Sequence, residues 1–506
     1  MYKRHTGQVS MLDNPEFFGS LPLDPNNRWI KLSKQIPWHE FDLKYRENFK
    51  SKKGQPACDS RMALAAVLLK PAYKGLSDED ITQVIAENPY LQYFLGLHEY
   101  RYECPFDPSM MTRFRQRITP EMLAWVNDQI IGWGHVEEKD DSGQGDSDKD
   151  DTNPPDAGGD EALPALAGEK KEGANEGTLI LDATCVPQNI RFPTDSSLLN
   201  EAREKTEEII DILHEYGMTE GEKPRTYRNV ARKQYNSFSK ARKKTVKMIR
   251  KVIRQQLGYL KRNLGYIDEI VKKHPDCLKE VLSRYKVQCL EVIRLLFSQQ
   301  QEMFRNKNHR VENRIVSISQ PWVRPIVRGK QNAEVEFGAK VEMSVVNGFL
   351  RVENLRWYAF NECTTLQESV ESYRNAYGHY PQRVLADTIF RTRENLRYCK
   401  EHGIHMNGPK LGKPHQDIAE RNRQKKLEWL ESGERGEIER QFGTGKRRYT
   451  LDCIMMKLKE TSEVEIYASV LYMNLRKKLR LLLRSFFSWL QIEIQYWLKE
   501  ADFALA

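Results

Sequence analysis

One stretch of the chain limits what the rest of it can become. Between Glu137 and Gly177 there are 14 acidic and 4 basic residues, set among Asp, Gly, Ser and Pro with almost no large apolar side chains. Such a segment cannot bury enough surface to offset the entropy of ordering it, so it is expected to be a disordered linker. It divides the 506 residues into an N-terminal unit, 1–135, an acidic linker, 136–177, and a long C-terminal part.

The two parts differ in period. Residues 30–135 are expected to be helical. Arg61 to Lys70 (RMALAAVLLK) is a strong helix former, and Ser77 to Asp80 supplies an N-cap ahead of Ile81, Val84 and Ile85. Arg113, Arg115 and Arg117 make a basic cluster there that could touch a polyanion. After the linker, Thr178 to Thr184 (TLILDAT) is a short apolar run ending at an Asp, the pattern of a buried strand that carries an acid at its end. Residues 196–312 look helical throughout. Strand character is expected again over 314–318 and 335–358, with a hairpin turn at Asn347-Gly348. A helix (365–376), a strand (382–386) ending at Asp387, a helix (392–402), a short strand (404–406), a basic Gly/Pro loop (407–414) and largely helical chain complete the pattern. Strands alternating with helices place 178–475 in the α/β class, with a helical insertion at about 196–312 and an amphipathic helix at 476–506.

Charge narrows the partners. The chain carries +9 in total, while the acidic segment alone carries about −10, so the remainder is near +19. Arg225 to Asn263 holds 14 Lys and Arg and no acid. Within it, Arg242, Lys243, Lys244, Arg250 and Lys251 flank an apolar stripe of Val246, Ile249, Ile253, Leu257 and Leu260. Such a one-sided run repels itself unless an anion covers it, which favours nucleic acid as partner. No run of about 18 uncharged apolar residues is present, so no membrane span is expected. Eight scattered cysteines without C-x-x-C or zinc spacing point to a reducing cytoplasm and no structural zinc.

The acids suggest chemistry. Asp182 and Asp387 are each expected at the carboxyl end of an apolar strand, where open α/β sheets build their sites. Two such carboxylates near each other need a cation, and hard oxygen ligands suit Mg²⁺ or Mn²⁺. In the string ERGEIERQFGTGKRRY, Arg435, Glu439 and Lys446 fall at roughly 0°, 40° and 20° around a helix, whereas Glu437 falls near 200°. Helix geometry therefore singles out Glu439. Gly443 and Gly445 each cost roughly 1 kcal/mol in a helix and are expected to loosen it before Lys446.

In this order, Asp182 in LILDAT, Asp387 in RVLADT and Glu439 in an R-x3-E-x6-K string resemble bacterial insertion-sequence transposases of the DDE class. More narrowly, they resemble the insertion-sequence-five-like (InsH-like) group. GLSDEDI, LQYFLGL and DPSMMTRFRQR in the N-terminal unit fit as well, as do NIRFPTDSSLLNEAR, VRPIVRGK, VEFGAKVEMSVVNGF and GPKLGKP. Two positions depart from the group: Ser432 stands where a Tyr is frequent, and Thr388-Ile389-Phe390 follows Asp387 in place of an Arg-Gly-Tyr type.

The resemblance implies a ribonuclease H-like catalytic core with a helical insertion after the first strand, and an all-α N-terminal domain that binds DNA. It implies Asp182, Asp387 and Glu439 as catalytic ligands of two Mg²⁺ or Mn²⁺ ions, used for in-line displacement at phosphorus. Arg435, Lys446, Lys410 and Lys413 would then contact DNA phosphates or steady the third acid, alongside the basic residues of the insertion. The expected partners are double-stranded DNA, as element ends and target, and a second copy of the chain in the synaptic complex. Two other readings stay open: a metal-dependent endonuclease without strand transfer, and a non-catalytic DNA-binding descendant.

Overall fold

The computed structural model describes residues 2, 14–49, 56–133, 175–219, 221–330, 333–409, 412 and 417–505, excepting the side chains of 17, 328–330, 333–334 and 486–505. Most of the acidic segment, 134–174, lies outside the described residues, as do Lys410 and Lys413. Its last residues are pinned: the Asn175 side-chain amide donates to the His402 carbonyl (2.7 Å) and the Glu176 N–H to that of Tyr380 (3.1 Å).

Among the described residues, seven α-helices form the N-terminal unit: α1 (Arg28–Ser33), α2 (Trp38–Arg46), α3 (Ser60–Ala72), α4 (Asp78–Glu87), α5 (Pro89–Phe94), α6 (Met110–Arg117) and α7 (Pro120–Ile131). Helix α3 is apolar all round and is buried from Ala63 to Pro71, as a helix without a polar face must be. Ser77 and Asp80 close a reciprocal capping box on α4. One member of the basic cluster on α6 is not free surface, whereas Arg113 is exposed. Arg115 is 2% exposed and makes a two-pronged ion pair with Asp78 (2.8 and 2.6 Å), so it is withdrawn from any outside anion.

The second unit begins with β1 (Thr178–Pro187) and continues through a helical stretch of α8 (Asp195–Glu215), α9 (Arg228–Lys240), α10 (Val246–Lys273), α11 (Cys277–Val281) and α12 (Arg284–Asn306). Helices α8, α10 and α12 share a core of their own, with Leu199, Ile210, Leu260, Ile267, Ile293 and Leu296 at its centre. Residues 314–318, expected as a strand, are not one. Ile315 and Ile318 pack into this helical core, and the Ile315 N–H is taken by the Gln299 side chain (2.9 Å) instead of a ladder partner.

The sheet is then completed by β2 (Arg324–Lys330), β3 (Ala333–Val346), β4 (Phe349–Arg356), β5 (Arg383–Ala386) and β6 (His405–Met406). Helix α13 (Leu366–Tyr377) precedes β5, and α14 (Arg393–Glu401) precedes β6. The strand order is β2-β3-β1-β5-β6, with β4 also on β3. Strands β1 to β4 pair antiparallel, whereas β5 and β6 run parallel to β1. The expected hairpin turn is present: Asn347 (φ 51°) and Gly348 (φ 77°) both adopt the left-handed conformation that a two-residue turn requires. The chain is thus mixed α/β.

Two long helices follow, α15 (Ile418–Arg448) and α16 (Lys459–Leu505). Helix α15 does not loosen at its glycines. At Gly445 a Cβ would meet Leu451 Cδ1 at 2.7 Å and Met473 Sδ at 3.2 Å, so the glycine permits close packing that outweighs its intrinsic cost. Position 475/476, expected to begin a separate C-terminal helix, falls inside α16, and the aromatic side chains expected beyond it (Phe486, Phe487, Trp489, Trp497) lie outside the described residues. Helix α16 is shared by two cores. Val464, Ala468, Leu471, Tyr472, Leu475 and Leu479 enter the core of the N-terminal helices, while Ile466, Val470 and Met473 pack against the sheet. Among the described residues, no helix is long and apolar enough to cross a membrane.

Candidate active site

The register of two parallel strands brings the first two acids together. Leu181 of β1 lies opposite Ala386 of β5, so the following residues, Asp182 and Asp387, stand level where the strands part. Asp387 leaves the sheet at the end of β5, as expected. There its Oδ1 caps the short turn Thr388–Phe390 by accepting from the Thr388 N–H (2.6 Å). Asp182 is not at a strand end, which corrects the expectation. Strand β1 runs on to Pro187 because β3 continues to pair with it after β5 has stopped.

Both carboxylates line a cavity of about 280 Å³, together with Thr184, Lys340, Glu362 and Ile389. Asp182 is 16% exposed and its Oδ1 accepts from the Ala183 N–H (2.8 Å). Burial pushes its pKa up to about 6; the Ala183 N–H and Arg435 oppose the rise, while Glu362 and Asp387 add to it. Lys340 and Glu362 form an ion pair at 2.8 Å on the same wall. Sequence reasoning missed both. Lys340 becomes a neighbour of the acids through the β1–β3 register, which sets it beside Cys185, and Glu362, in the turn after β4, reaches the same wall by pairing with it; no spacing along the chain signals either.

Helix α15 supplies the rest. Arg435 Nη2 lies 2.9 Å from Glu439 Oε1, and Arg435 Nη1 lies 3.9 Å from Asp182 Oδ2. One guanidinium thus stands between the first and third candidate acids. The neighbouring glutamates face elsewhere: Glu434 pairs with Arg383 (2.9 Å) and Glu437 with Arg440 (3.1 Å) and Lys477 (3.4 Å). Lys446 follows on the same uninterrupted helix, its carbonyl accepting from Lys74 Nζ (2.7 Å). The basic residues of the helical stretch do not line the acid cavity. Arg242, Lys243, Lys244, Arg250 and Lys251 are all exposed at the α9–α10 connection and the start of α10, with Arg250 stacked on Phe304 at 4.8 Å.

Among the described residues, no group of three or more His, Cys, Asp or Glu side chains stands close enough to hold a metal ion. Asp182 and Asp387 meet at one cavity, whereas Glu439 is 54% exposed and tied to Arg435. The donor set at the cavity suits a hard divalent cation, because two carboxylate oxygen donors face one space and the buried one is short of counter-charge.

A second buried acid lies behind this wall. Glu342 of β3 is fully buried, accepts from Asn354 Nδ2 (3.3 Å), and is pushed by burial to a pKa of about 7. Its pKa is raised on folding, so its stabilising protonated form is fully present below the unfolded value. The contribution is lost as pH climbs toward 7. Glu342→Gln is therefore expected to raise stability by about 3 kcal/mol near pH 8 and by little near pH 5, read by thermal unfolding at both. An equal shift at the two pH values would contradict the buried-charge account.

Two segments match known families: residues 384–476 match "Transposase DDE domain" and residues 20–117 match "Transposase domain (DUF772)". The first spans Asp387, Arg435, Glu439 and Lys446; Asp182 lies before it. A curated relative, "Uncharacterized protein ORF8 in nfe locus" of Rhizobium meliloti, is 36% identical over 101 residues, or 20% of this chain and 48% of the relative. The chain thus spans about half the length of that relative. No solved structure matches.

Proposed function

We propose that this chain, which matches a transposase DDE domain over 384–476 and a transposase domain over 20–117, cuts double-stranded DNA at the ends of an insertion sequence and joins them to a target. The observation that carries the reading is the meeting of Asp182 and Asp387 at one cavity, beside a helix whose Arg435 lies 3.9 Å from Asp182 and 2.9 Å from Glu439. The three antiparallel strands β4-β3-β1, extended by parallel β5 and β6, fit a ribonuclease H-like core, with α8 to α12 as its insertion. Membership of the insertion-sequence-five-like group, a cytoplasmic location and a dimer that pairs two DNA ends belong to the same proposal.

Asp182, Asp387 and Glu439 would hold Mg²⁺ or Mn²⁺. When bound, the ions supply Lewis-acid stabilisation of the phosphoryl oxygens and a water or hydroxyl of lowered pKa. The chain's own groups do the rest. The carboxylates orient the attacking oxygen in line with the scissile P–O bond, and Arg435 steadies Glu439 through their ion pair. Lys340, Lys446 and the exposed cations of α10 hold phosphate oxygens, with Lys410 and Lys413 of the 407–414 loop as further candidates. The test is incubation of the full chain with a duplex carrying the element's terminal repeat, with Mg²⁺ and with chelator. Metal-dependent nicking at the element end and joined product are expected. Cleavage without joining would make it an endonuclease, and intact DNA under every divalent metal would overturn the catalytic reading.

A further inference from the structure

Two concavities away from the acids are each larger than the acid cavity. Two adjoining cavities of about 510 and 400 Å³ share Thr444, Tyr449 and Arg480, and together form one cleft between the last turns of α15 and the middle of α16. Arg447, Arg448, Arg476 and Arg480 line the first, with no acid among its lining residues. Arg440, Lys477 and Arg484 add to the second, where Glu437 is the single acid. Glu437 is already engaged by Arg440 and Lys477, and these cations, with the Gln441 amide, hold its carboxyl below the usual range despite burial.

Seven cations and one carboxylate line the cleft, and the four arginines of the first cavity meet no acid in its lining. Arg447, Arg448, Arg476 and Arg480 have no ion-pair partner among the described residues. The walls that carry them are nevertheless drawn together, with Gly445 packed against Leu451 and Met473 and with Lys477 bonded to the Gly348 carbonyl. Crowding like charges destabilises a compact state unless an anion neutralises them. Six of the seven are arginines, whose planar forks suit phosphate oxygens in pairs.

We propose that this cleft holds backbone phosphates of DNA at a place separate from the acid cavity. The proposal rests on DNA being the substrate and adds a second contact region to it. At about 100° per residue, Arg440, Thr444, Arg447 and Arg448 lie roughly 120° to 220° around α15 from Arg435, whereas Glu439 and Lys446 lie within roughly 40° of it. The cleft therefore opens on the far flank of the helix that carries the third acid. The phosphates it takes are not the scissile one.

The test uses the full chain, a fluorescent duplex of arbitrary sequence and no divalent metal, with anisotropy read across a salt series. Arg448→Gln/Arg476→Gln/Arg480→Gln is expected to weaken binding at least about ten-fold near 0.1 M salt and to flatten the logarithmic salt slope by about 2 to 3. Its melting temperature should not fall. The corresponding triple Lys variant should recover most of the slope. A Gln variant that binds with wild-type affinity and slope overturns the cleft and leaves the proposed function standing. A wild type that binds with the expected slope but never cleaves sinks the proposed function and leaves the cleft. A wild type that does not bind the duplex overturns both.

Discussion

Asp182→Asn and Asp387→Asn are each expected to lower metal-dependent DNA cleavage on the order of 10³-fold or more, while leaving the protein folded. Asparagine at 387 still offers an oxygen to the Thr388 N–H, so the cap survives while the charge disappears. At 182 the change removes a charge that burial disfavours. Because the Asp182 pKa is raised to about 6, its ionised form weighs against folding above that pH, and the Asn variant should gain about 1 to 3 kcal/mol near pH 8. Lost cleavage with retained or raised stability, read by gel assay and thermal unfolding on one preparation, separates a chemical role from a structural one. Cleavage within a few-fold of wild type in either variant would refute the assignment.

The third acid is decided by a paired comparison. Glu439→Gln should fall as far as the aspartate variants, while Glu362→Gln should retain more than about a tenth of the activity, since Glu362 is matched by Lys340 at 2.8 Å. The opposite ranking would move the third ligand from α15 to the wall of the cavity.

The second large effect is on stability. Arg115→Ala is expected to cost about 3–5 kcal/mol, because it leaves half-buried Asp78 with only Lys70 (3.5 Å) as its cation and Glu465 without its main positive neighbour. Glu465 of α16 is 1% exposed and accepts from the Thr450 hydroxyl (2.7 Å); burial raises its pKa, and Arg115 opposes the rise. If the single variant yields no soluble protein, Arg115→Met/Asp78→Asn should restore part of the loss by removing both charges together. Urea unfolding gives the measurement. An Arg115→Ala protein within about 0.5 kcal/mol of wild type would show that the ion pair adds nothing.

Much of this was legible along the chain, because local rules act on neighbours. The Asn347-Gly348 turn, the strand that stops at Asp387 and the capped start of α4 each follow from residues a few positions apart. The choice of Glu439 over Glu437 also came from helix geometry, and Arg435 does sit beside Glu439. What failed depended on partners far away in sequence. Residues 314–318 look like a strand but find their burial in a helical bundle. Gly445 reads as a helix breaker until Met473 is seen against it. Arg115 reads as a basic surface until Asp78 meets it, and Lys340 and Glu362 carry no signal that the sheet register will set them beside Asp182.

The shared helix α16 has a consequence for the order of events during synthesis. The N-terminal helices are complete at Ile131, yet their core needs side chains up to Leu479, about 350 residues later. At about 5–20 residues per second, the nascent chain carries that unfinished apolar surface for roughly 20 to 70 seconds before the closing helix exists. During that interval the first-made segment depends on chaperones or on loose collapse to avoid association. A premature stop anywhere before α16 would release a polypeptide with neither of the two cores that α16 enters closed.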